Sequence, residues 1–320
     1  MIAPPPPAPV GVPVRGSLKL AIERTHAGSP PFLVVGESMV VRGAVKPYVA
    51  GQKVSVTFYR SGRKVFVRRV SVLAAPNGTG RFRIAYGSPV PGTVGVAAVH
   101  AATAQMIAFA APPVHARFED ADLGVGRRGA VVHALQGSLA ALHYAVPLSG
   151  VYDEATGRAV VALRKLTGLP RVSSTDASVF RRLQEGAGAF HVRYRSDGRH
   201  VEADLSRQVL AEIEAGGRVR AIFTMSSGKP STPTVIGRFR VYSKTPGTNA
   251  KGMVDANYFI GGYAIHGYAE VPTYAASHGC LRVPVPDAPS IYAWVQLGTP
   301  VDVYFEGGGG SHSVHGNAGP

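Results

Sequence analysis

The period of the apolar residues changes twice along this chain of 320 residues, which divides it into strand-rich, helical and strand-rich stretches. Over residues 16–117 apolar positions alternate, as in Leu18, Leu20 and Ile22 and again in Val54, Val56 and Phe58. Turn pairs punctuate them at Ser61-Gly62, Asn77-Gly78 and Pro91-Gly92. Alternation sends one face of each strand into a core, so about a hundred such residues predict a β-sandwich. Between 119 and 185 the period becomes helical. Val131, Val132, Leu135, Leu139 and Leu142 share one stripe; Val160, Leu163 and Leu166 form a second behind the start signals Asp153 and Thr156; residues 175–183 fit a third short helix. From 191 to 306 alternation returns. Residues 208–213 and 219–225 read as a hairpin about Ala215-Gly216-Gly217, 238–242 and 301–305 read as strands, and only 287–296 has helical character.

Composition narrows the possible surroundings. Lys and Arg number 34 against 19 Asp and Glu, a net charge of +15, which favours anionic partners such as nucleic acid, acidic lipid or cell-wall polyanions. Arg60, Arg63, Lys64, Arg68 and Arg69 cluster around one hairpin, where a solvated strand face is the simpler reading. Residues 84–116 carry no Asp, Glu, Lys or Arg. Pro89, Pro91, Gly92 and Gly95 break that stretch and His100, Thr103 and Gln105 interrupt it, so it is expected to supply the last two sandwich strands and not a membrane span. Met1-Ile2-Ala3 runs into Pro4-Pro5-Pro6-Pro7, with neither the basic start nor the apolar core of a secretory signal. Gly124, Gly126 and Gly129 satisfy the G-x-G-x-x-G spacing, yet acidic Glu119, Asp120 and Asp122 stand where a dinucleotide site needs an apolar strand. These glycines are expected to open a small helical bundle.

The lone cysteine carries the chemistry. Cys280 has no second cysteine for a disulfide and sits in Ser277-His278-Gly279-Cys280-Leu281-Arg282, with His266-Gly267-Tyr268 upstream. A free thiol is only a few per cent thiolate at neutral pH, so a nucleophilic cysteine needs an imidazole or a positive charge beside it. His266, His278 and Arg282 offer these, and are expected to depress the thiol pKa. Gly279 lets an acyl carbon approach and leaves backbone N–H groups for an oxyanion. Either histidine could be the base: His278 shares a face with Cys280 if the segment is extended, whereas His266 must arrive from another strand. A zinc site of His266, His278 and Cys280, with Glu270 as general base, is the competing reading, though no standard zinc spacing is present.

Two family resemblances follow from wider patterns. Leu123-Gly124, Gly129, Val132, Leu135-Gln136, Leu139, Tyr144, Gly150, Tyr152-Asp153, Thr156, Ala159-Val160 and Gly168-Leu169 resemble the three-helix peptidoglycan-binding domain over about 65 residues. Leu163-Arg164 departs from it, where that family commonly has an aromatic followed by Gln. Further on, Ser226-Ser227-Gly228-Lys229, Thr234-Val235-Ile236-Gly237-Arg238-Phe239, Tyr258-Phe259, Ala264-Ile265-His266-Gly267, Ser277-His278-Gly279-Cys280-Leu281-Arg282, Asp287, Trp294-Val295 and Gly298-Thr299-Pro300-Val301 resemble the L,D-transpeptidase (YkuD) catalytic domain over residues 201–304. Val235 departs, standing where that family usually has Pro.

Composition, periodicity and the two resemblances together lead us to expect a multidomain chain: a Pro-rich linker over 1–15, an Ig-like β-sandwich over 16–117, a small three-helix peptidoglycan-binding bundle over 118–186, a mainly-β L,D-transpeptidase catalytic domain over 187–306 and a flexible Gly/His tail over 307–320 containing His312 and His315. The catalytic-domain resemblance further implies roles for the site residues. It implies Cys280 as nucleophile, His266 as its activating base and the Gly267 carbonyl as the group that orients the imidazole. His278, Gly279 and Cys280 would supply oxyanion N–H groups, Arg282 would support site and substrate, Ser277 would hold the loop, and Tyr258 and Tyr268 would line the substrate side. With the imidazole oriented by a carbonyl, Asp255, Glu270 and Asp287 are expected to tolerate neutral replacement. The implied reaction forms 3→3 cross-links between peptidoglycan tetrapeptide stems through a thioester, releasing D-Ala, with no metal, nucleotide or other cofactor. Carbapenem-type β-lactams would acylate the same thiol, nucleic acid would not be a partner, and the work would lie outside the cytoplasmic membrane. The alternatives are an L,D-carboxypeptidase or exchange enzyme on the same stems, and a non-catalytic wall-binding protein.

Overall fold

The computed structural model describes residues 12–28 and 31–306. Most of the Pro-rich linker, and the Gly/His tail with His312 and His315, lie outside the described residues. Two compact units, Met1–Ala121 and Asp122–Pro320, divide the chain.

The first unit is two β-sheets. Strands β1 (Ser17–Glu23), β2 (Phe32–Val34), β3 (Met39–Lys46), β4 (Lys53–Arg60), β5 (Arg63–Ser71), β6 (Leu73–Ala75), β7 (Thr79–Tyr86), β8 (Gly92–His100), β9 (Phe109–Ala110) and β10 (Val114–Glu119) follow in order. One sheet runs β1-β3-β7-β6 and the other β2-β10-β8-β4-β5, with β9 on β8. Alternation works as expected: Val41 and Val45 from one sheet and Val54, Val56, Phe58, Val94 and Val96 from the other are wholly buried, and their neighbours face out. The uncharged stretch becomes β8 and the short β9 on its way into β10. The basic cluster falls on the β4–β5 hairpin, whose outer strand β5 is exposed along nearly its whole length. Val14, within the stretch expected to be linker, pairs with the 105–107 segment through Val14 N–H to Gln105 O (2.9 Å) and Ile107 N–H to Val14 O (3.2 Å).

The second unit begins with three helices: α1 (Ala130–Ala141), α2 (Glu154–Thr167) and α3 (Ala177–Gln184). The glycine-rich run ends in Gly129, which caps α1 at a φ of 117° that a side chain would strain. Asp153 caps α2 by accepting the Thr156 N–H (2.8 Å), and Asp176 caps α3 by accepting the Ser178 N–H (2.7 Å). Gln136 interrupts the apolar stripe of α1 yet is fully buried. It donates to Val151 O and Thr156 Oγ1 (both 2.9 Å) and accepts the Gly150 N–H (2.8 Å), tying α1 to the start of α2. Leu163 and Arg164 are also buried; the Arg164 guanidinium reaches Asp176 (2.7 Å) and Ser174 O (3.1 Å), so this departure from the peptidoglycan-binding pattern builds the helical packing.

Two further sheets complete the unit. Strands β11 (His200–Asp204), β12 (Val209–Glu214), β13 (Arg218–Thr224), β14 (Gly237–Arg240) and a later β19 (Pro300–Tyr304) form a sheet ordered β13-β12-β11-β19-β14. Strands β15 (Ser243–Thr248), β16 (Val254–Ile260), β17 (Tyr263–Tyr268) and β18 (Leu281–Pro284) form the other in sequence order. Their shared core includes Val201, Phe223, Phe239, Ile265, Leu281, Val283 and, from α4 (Ala288–Trp294), Ile291 and Trp294.

The helices are fastened to these sheets. The Lys165 side chain of α2 is 1% exposed and donates to Gln208 O (2.9 Å), Thr224 Oγ1 (2.7 Å) and Met225 O (2.8 Å), satisfying an otherwise costly buried ammonium. Burial, with Arg171 nearby, pushes its pKa down to about 7. Arg158 of α2 pairs bidentately with Asp287 (2.8 and 3.0 Å), and the chain at 143–145 pairs with Ile222 of the edge strand β13. No described helix is long and apolar enough to cross a membrane.

Candidate active site

Strands β17 and β18 are parallel neighbours, with Ile265 opposite Leu281 and His266 opposite Arg282. Parallel neighbours need a crossover of about a dozen residues, and residues 269–280 make it, so the Ser277-His278-Gly279-Cys280 turn arrives at the head of β18. Side chains alternate across a strand. Ile265, Leu281 and Val283 enter the core, and the opposite face carries Ala264, His266 and Tyr268 beside Arg282 and Pro284. Cys280 sits in the bend just before β18 and packs against the cluster that contains Ala264 of β17, two residues from His266.

The imidazole of His266 is 3% exposed and its Nδ1 lies 2.9 Å from the Gly267 carbonyl. A carbonyl only accepts, so Nδ1 carries the proton and Nε2 keeps its lone pair. A side chain at Gly267 would strike Ala288 at 2.8 Å, which lets β17 pack closely under α4. The Tyr268 ring meets the imidazole edge-on (centroids 5.7 Å apart, planes at 85°), and the Arg282 guanidinium lies 4.0 Å from the centre of the same tyrosine ring. Burial lowers the His266 pKa, the Gly267 hydrogen bond opposes that, and the Arg282 charge adds to it. The neutral imidazole is therefore the resting form.

Cys280 is half-buried. It packs with Tyr258 against Met253, Ala256 and Ala264, and its Sγ lies 3.8 Å from the Gly262 carbonyl. Burial raises the thiol pKa; a backbone hydrogen bond from Ala264 and the charges of Arg282 and Lys251 oppose the rise without reversing it. The expected depression of the thiol pKa is not found, because desolvation outweighs the nearby cations.

The turn carrying Cys280 is splinted from below. Ser277 is fully buried; its hydroxyl donates to Cys280 O (2.6 Å) and accepts the Gly279 N–H (3.1 Å). Of the three N–H groups expected to face an oxyanion, that of Gly279 is therefore already committed. The chain at 226–229 pairs on both sides of the turn, through Ser226 with Arg282, through Ala276 and Ser277 N–H to Ser227 O, and through Lys229 N–H to Ser277 O. Thr234 Oγ1 donates to Gly279 O and accepts the Gly228 N–H, both at 2.8 Å. Gly279 has a φ of 117°, and a Cβ there would lie 2.3 Å from the Tyr263 ring, so both backbone and space require glycine.

His278 is placed otherwise than an extended segment would place it. The turn at 277–280 is a bend, so alternation does not apply there. Its exposed ring accepts from Lys229 Nζ through Nε2 (3.3 Å). Tyr258 stands on β16 with its hydroxyl 3.3 Å from Asn249 Nδ2. Among the described residues no three His, Cys, Asp or Glu side chains cluster closely enough to hold a metal ion, so the zinc reading with His266, His278, Cys280 and Glu270 lacks its ligand geometry. Asp287, one of the carboxylates expected to tolerate neutral replacement, is the partner of Arg158. Tyr263, Thr234 and Lys229 shape the site without a spacing signal for their roles; each acts across a long sequence separation on the turn.

Residues 198–303 match the YkuD family, the L,D-transpeptidase catalytic domain. Among solved structures, an L,D-transpeptidase from Xylanimonas cellulosilytica is 33% identical with a TM-score of 0.53, the likeness covering 57% of this chain and 98% of that one. One from Stackebrandtia nassauensis is 21% identical over 57% of this chain and 95% of that one, TM-score 0.38. Another, from Enterococcus faecium, is 28% identical over 33% of this chain and 50% of that one, TM-score 0.30. No curated protein matches the chain. With a relative one-third identical and spanned almost from end to end, and with the catalytic-domain match covering both β17 and β18, this chain belongs to the L,D-transpeptidases, a family of acyltransferases acting on peptidoglycan outside the cytoplasmic membrane.

Proposed function

We propose that the protein forms 3→3 peptidoglycan cross-links through a thioester on Cys280. The observation that best supports this reading is the parallel pairing of β17 and β18, which brings the start of β18, next to Cys280, alongside the strand of His266, whose lone pair is on Nε2. In the first half-reaction Nε2 accepts the thiol proton as sulfur bonds to the carbonyl carbon between the diamino acid and terminal D-Ala of a tetrapeptide stem. The N–H groups of His278 and Cys280 stabilise the oxyanion, a contribution of ~10²–10³ in rate per donor. Collapse breaks the C–N bond, and His266 gives its proton to the departing D-Ala amine. In the second half-reaction the side-chain amine of another stem bonds to the thioester carbon as its proton passes to His266; the C–S bond then breaks, and the Cys280 sulfur takes that proton from His266, which restores the neutral pair. Because burial keeps the resting pair neutral, the thiol is deprotonated during attack and not beforehand.

A carbapenem presents a strained amide to the same sulfur and forms a stable adduct. The three helices serve as a peptidoglycan-binding bundle that holds the enzyme on its polymer, raising the local concentration of stems, and the N-terminal sheets as an Ig-like spacer. Intact-mass measurement after exposure to a carbapenem tests the assignment. Wild type gains one drug mass and releases D-Ala from a tetrapeptide, whereas Cys280→Ala does neither and keeps its fold. An adduct persisting on Cys280→Ala would sink it.

A further inference from the structure

We infer that Lys251, in the turn between β15 and β16, binds the terminal carboxylate of the donor stem and so selects stems for cleavage of their last residue. This deepens the transpeptidase reading above and rests on it. The turn stands beside the reacting pair. Val254, the first residue of β16, lies opposite Gly267 in the strand register, so residues 249–253 come up against the end of β17 that bears His266 and Tyr268. A side-chain carbon on Gly252 would lie 3.6 Å from the Tyr268 ring, the ring that meets the His266 imidazole edge-on. Met253 belongs to the cluster against which Cys280 and Tyr258 pack. Lys251 therefore precedes one residue set against the base side of the site and another set in the packing of the nucleophile. Its charge reaches the thiol, since Lys251 and Arg282 are the cations that oppose the rise in the Cys280 pKa.

The backbone of the turn is fixed and the ammonium is free. Asn249 Oδ1 accepts the N–H groups of Lys251 (3.0 Å) and Met253 (3.1 Å), and the Asn249 N–H reaches Met253 O (3.0 Å). Its Nδ2 donates to the Tyr258 hydroxyl (3.3 Å), which ties the turn to β16. Lys251 is exposed, and among the described residues its ammonium has no ion-pair or hydrogen-bond partner. The neighbouring cations are engaged: Lys229 Nζ with His278 (3.3 Å), and the Arg282 guanidinium over the Tyr268 ring (4.0 Å).

The chemistry of the leaving group names the ligand. The departing amine takes its proton from His266 Nε2, and in D-Ala the carbon that bears this amine also bears the carboxylate. Cleavage of the last peptide bond therefore places a negative charge close to the atom that His266 protonates. At an internal bond a neutral amide stands in the same place. A cation beside His266 and Tyr268 separates the two cases, because a bound stem covers the ammonium and a covered ion pair is stronger than one in open water. The carboxylate itself forms and breaks no bond.

The test compares two donors with the full chain, a tetrapeptide ending in D-Ala and the same peptide ending in D-alaninamide, each read as kcat and KM for release of its last residue. Wild type is expected to prefer the free acid by about tenfold in kcat/KM, chiefly through KM, as a hydrogen bond to a charged group warrants. Lys251→Met is expected to bring that preference to within about twofold of unity, Lys251→Glu to reverse it and Lys251→Arg to keep it. A role confined to holding the turn would weaken both donors together and leave the preference as it was, so an unchanged preference in Lys251→Met overturns the inference. Equal use of the two donors by wild type overturns it as well. The transpeptidase reading has its own readout: if wild type releases neither last residue and takes no carbapenem adduct, that reading fails first and the carboxylate subsite with it.

Discussion

Cys280 and His266 titrate in opposite directions from what a preformed ion pair needs. Burial raises the thiol and lowers the imidazole, so thiolate becomes abundant only above the ordinary thiol pKa and His266 stays a competent base until pH falls below the ordinary imidazole value. D-Ala release is accordingly expected to hold through neutrality and to fall only on an acid limb below that imidazole value. Alkylation of resting Cys280 by iodoacetamide should have a midpoint above that of a free thiol. His266→Ala removes the proton acceptor and should cut D-Ala release by ~10²–10⁴ while leaving the alkylation midpoint high; His278→Ala, whose ring is engaged by Lys229, should cost less. A wild-type midpoint below that of a free thiol would contradict this account. The motif residues were legible in sequence because they are contiguous or belong to a recognisable pair of segments. Tyr263 against Gly279 and Thr234 against Gly279 O were not, since close approach between distant segments leaves no periodic trace.

At the scale of elements, the sequence carried strands with alternating apolar residues, such as β1 and β4, and the capped helices α2 and α3. It was least informative for β15 to β18, the sheet bearing the site. Strand β17 is buried on both faces through most of its length, so it shows no alternation, and β15 is mostly Ser, Thr, Gly and Pro. The fastening of α2 to the sheets was also invisible, because Lys165 and Arg158 read as ordinary polar helix positions. Lys165→Met leaves the Met225 carbonyl without that donor, at about 1–3 kcal/mol for a buried unsatisfied group, while the Gln208 carbonyl keeps the Met225 N–H. Asp287→Asn leaves Arg158 without its counter-charge, at a similar about 1–3 kcal/mol given partial exposure. Thermal unfolding should show each variant several degrees less stable. Hydrogen exchange in Lys165→Met should quicken at 225–228 and 276–280, the segments that meet beneath Cys280. Unchanged melting and exchange in both would show that α2 is not a support of the site.

Over the whole molecule, the excess of 34 basic over 19 acidic residues suits an enzyme working on a polymer that carries carboxylates and phosphates, and the exposed basic strand β5 adds to that field. Charge draws the protein to its surroundings, but the reaction depends on one strand pair. The proposed reaction is acyl transfer from a tetrapeptide stem, through Cys280, to the side-chain amine of a second stem. Mass spectrometry of the full chain incubated with a disaccharide tetrapeptide tests it. The expected outcome is one D-Ala released for each dimer formed, a dimer mass equal to two substrates less one D-Ala, and fragmentation that places the new bond between the two diamino acids. Tetrapeptide left unchanged, or a tripeptide monomer as the sole product, would contradict it.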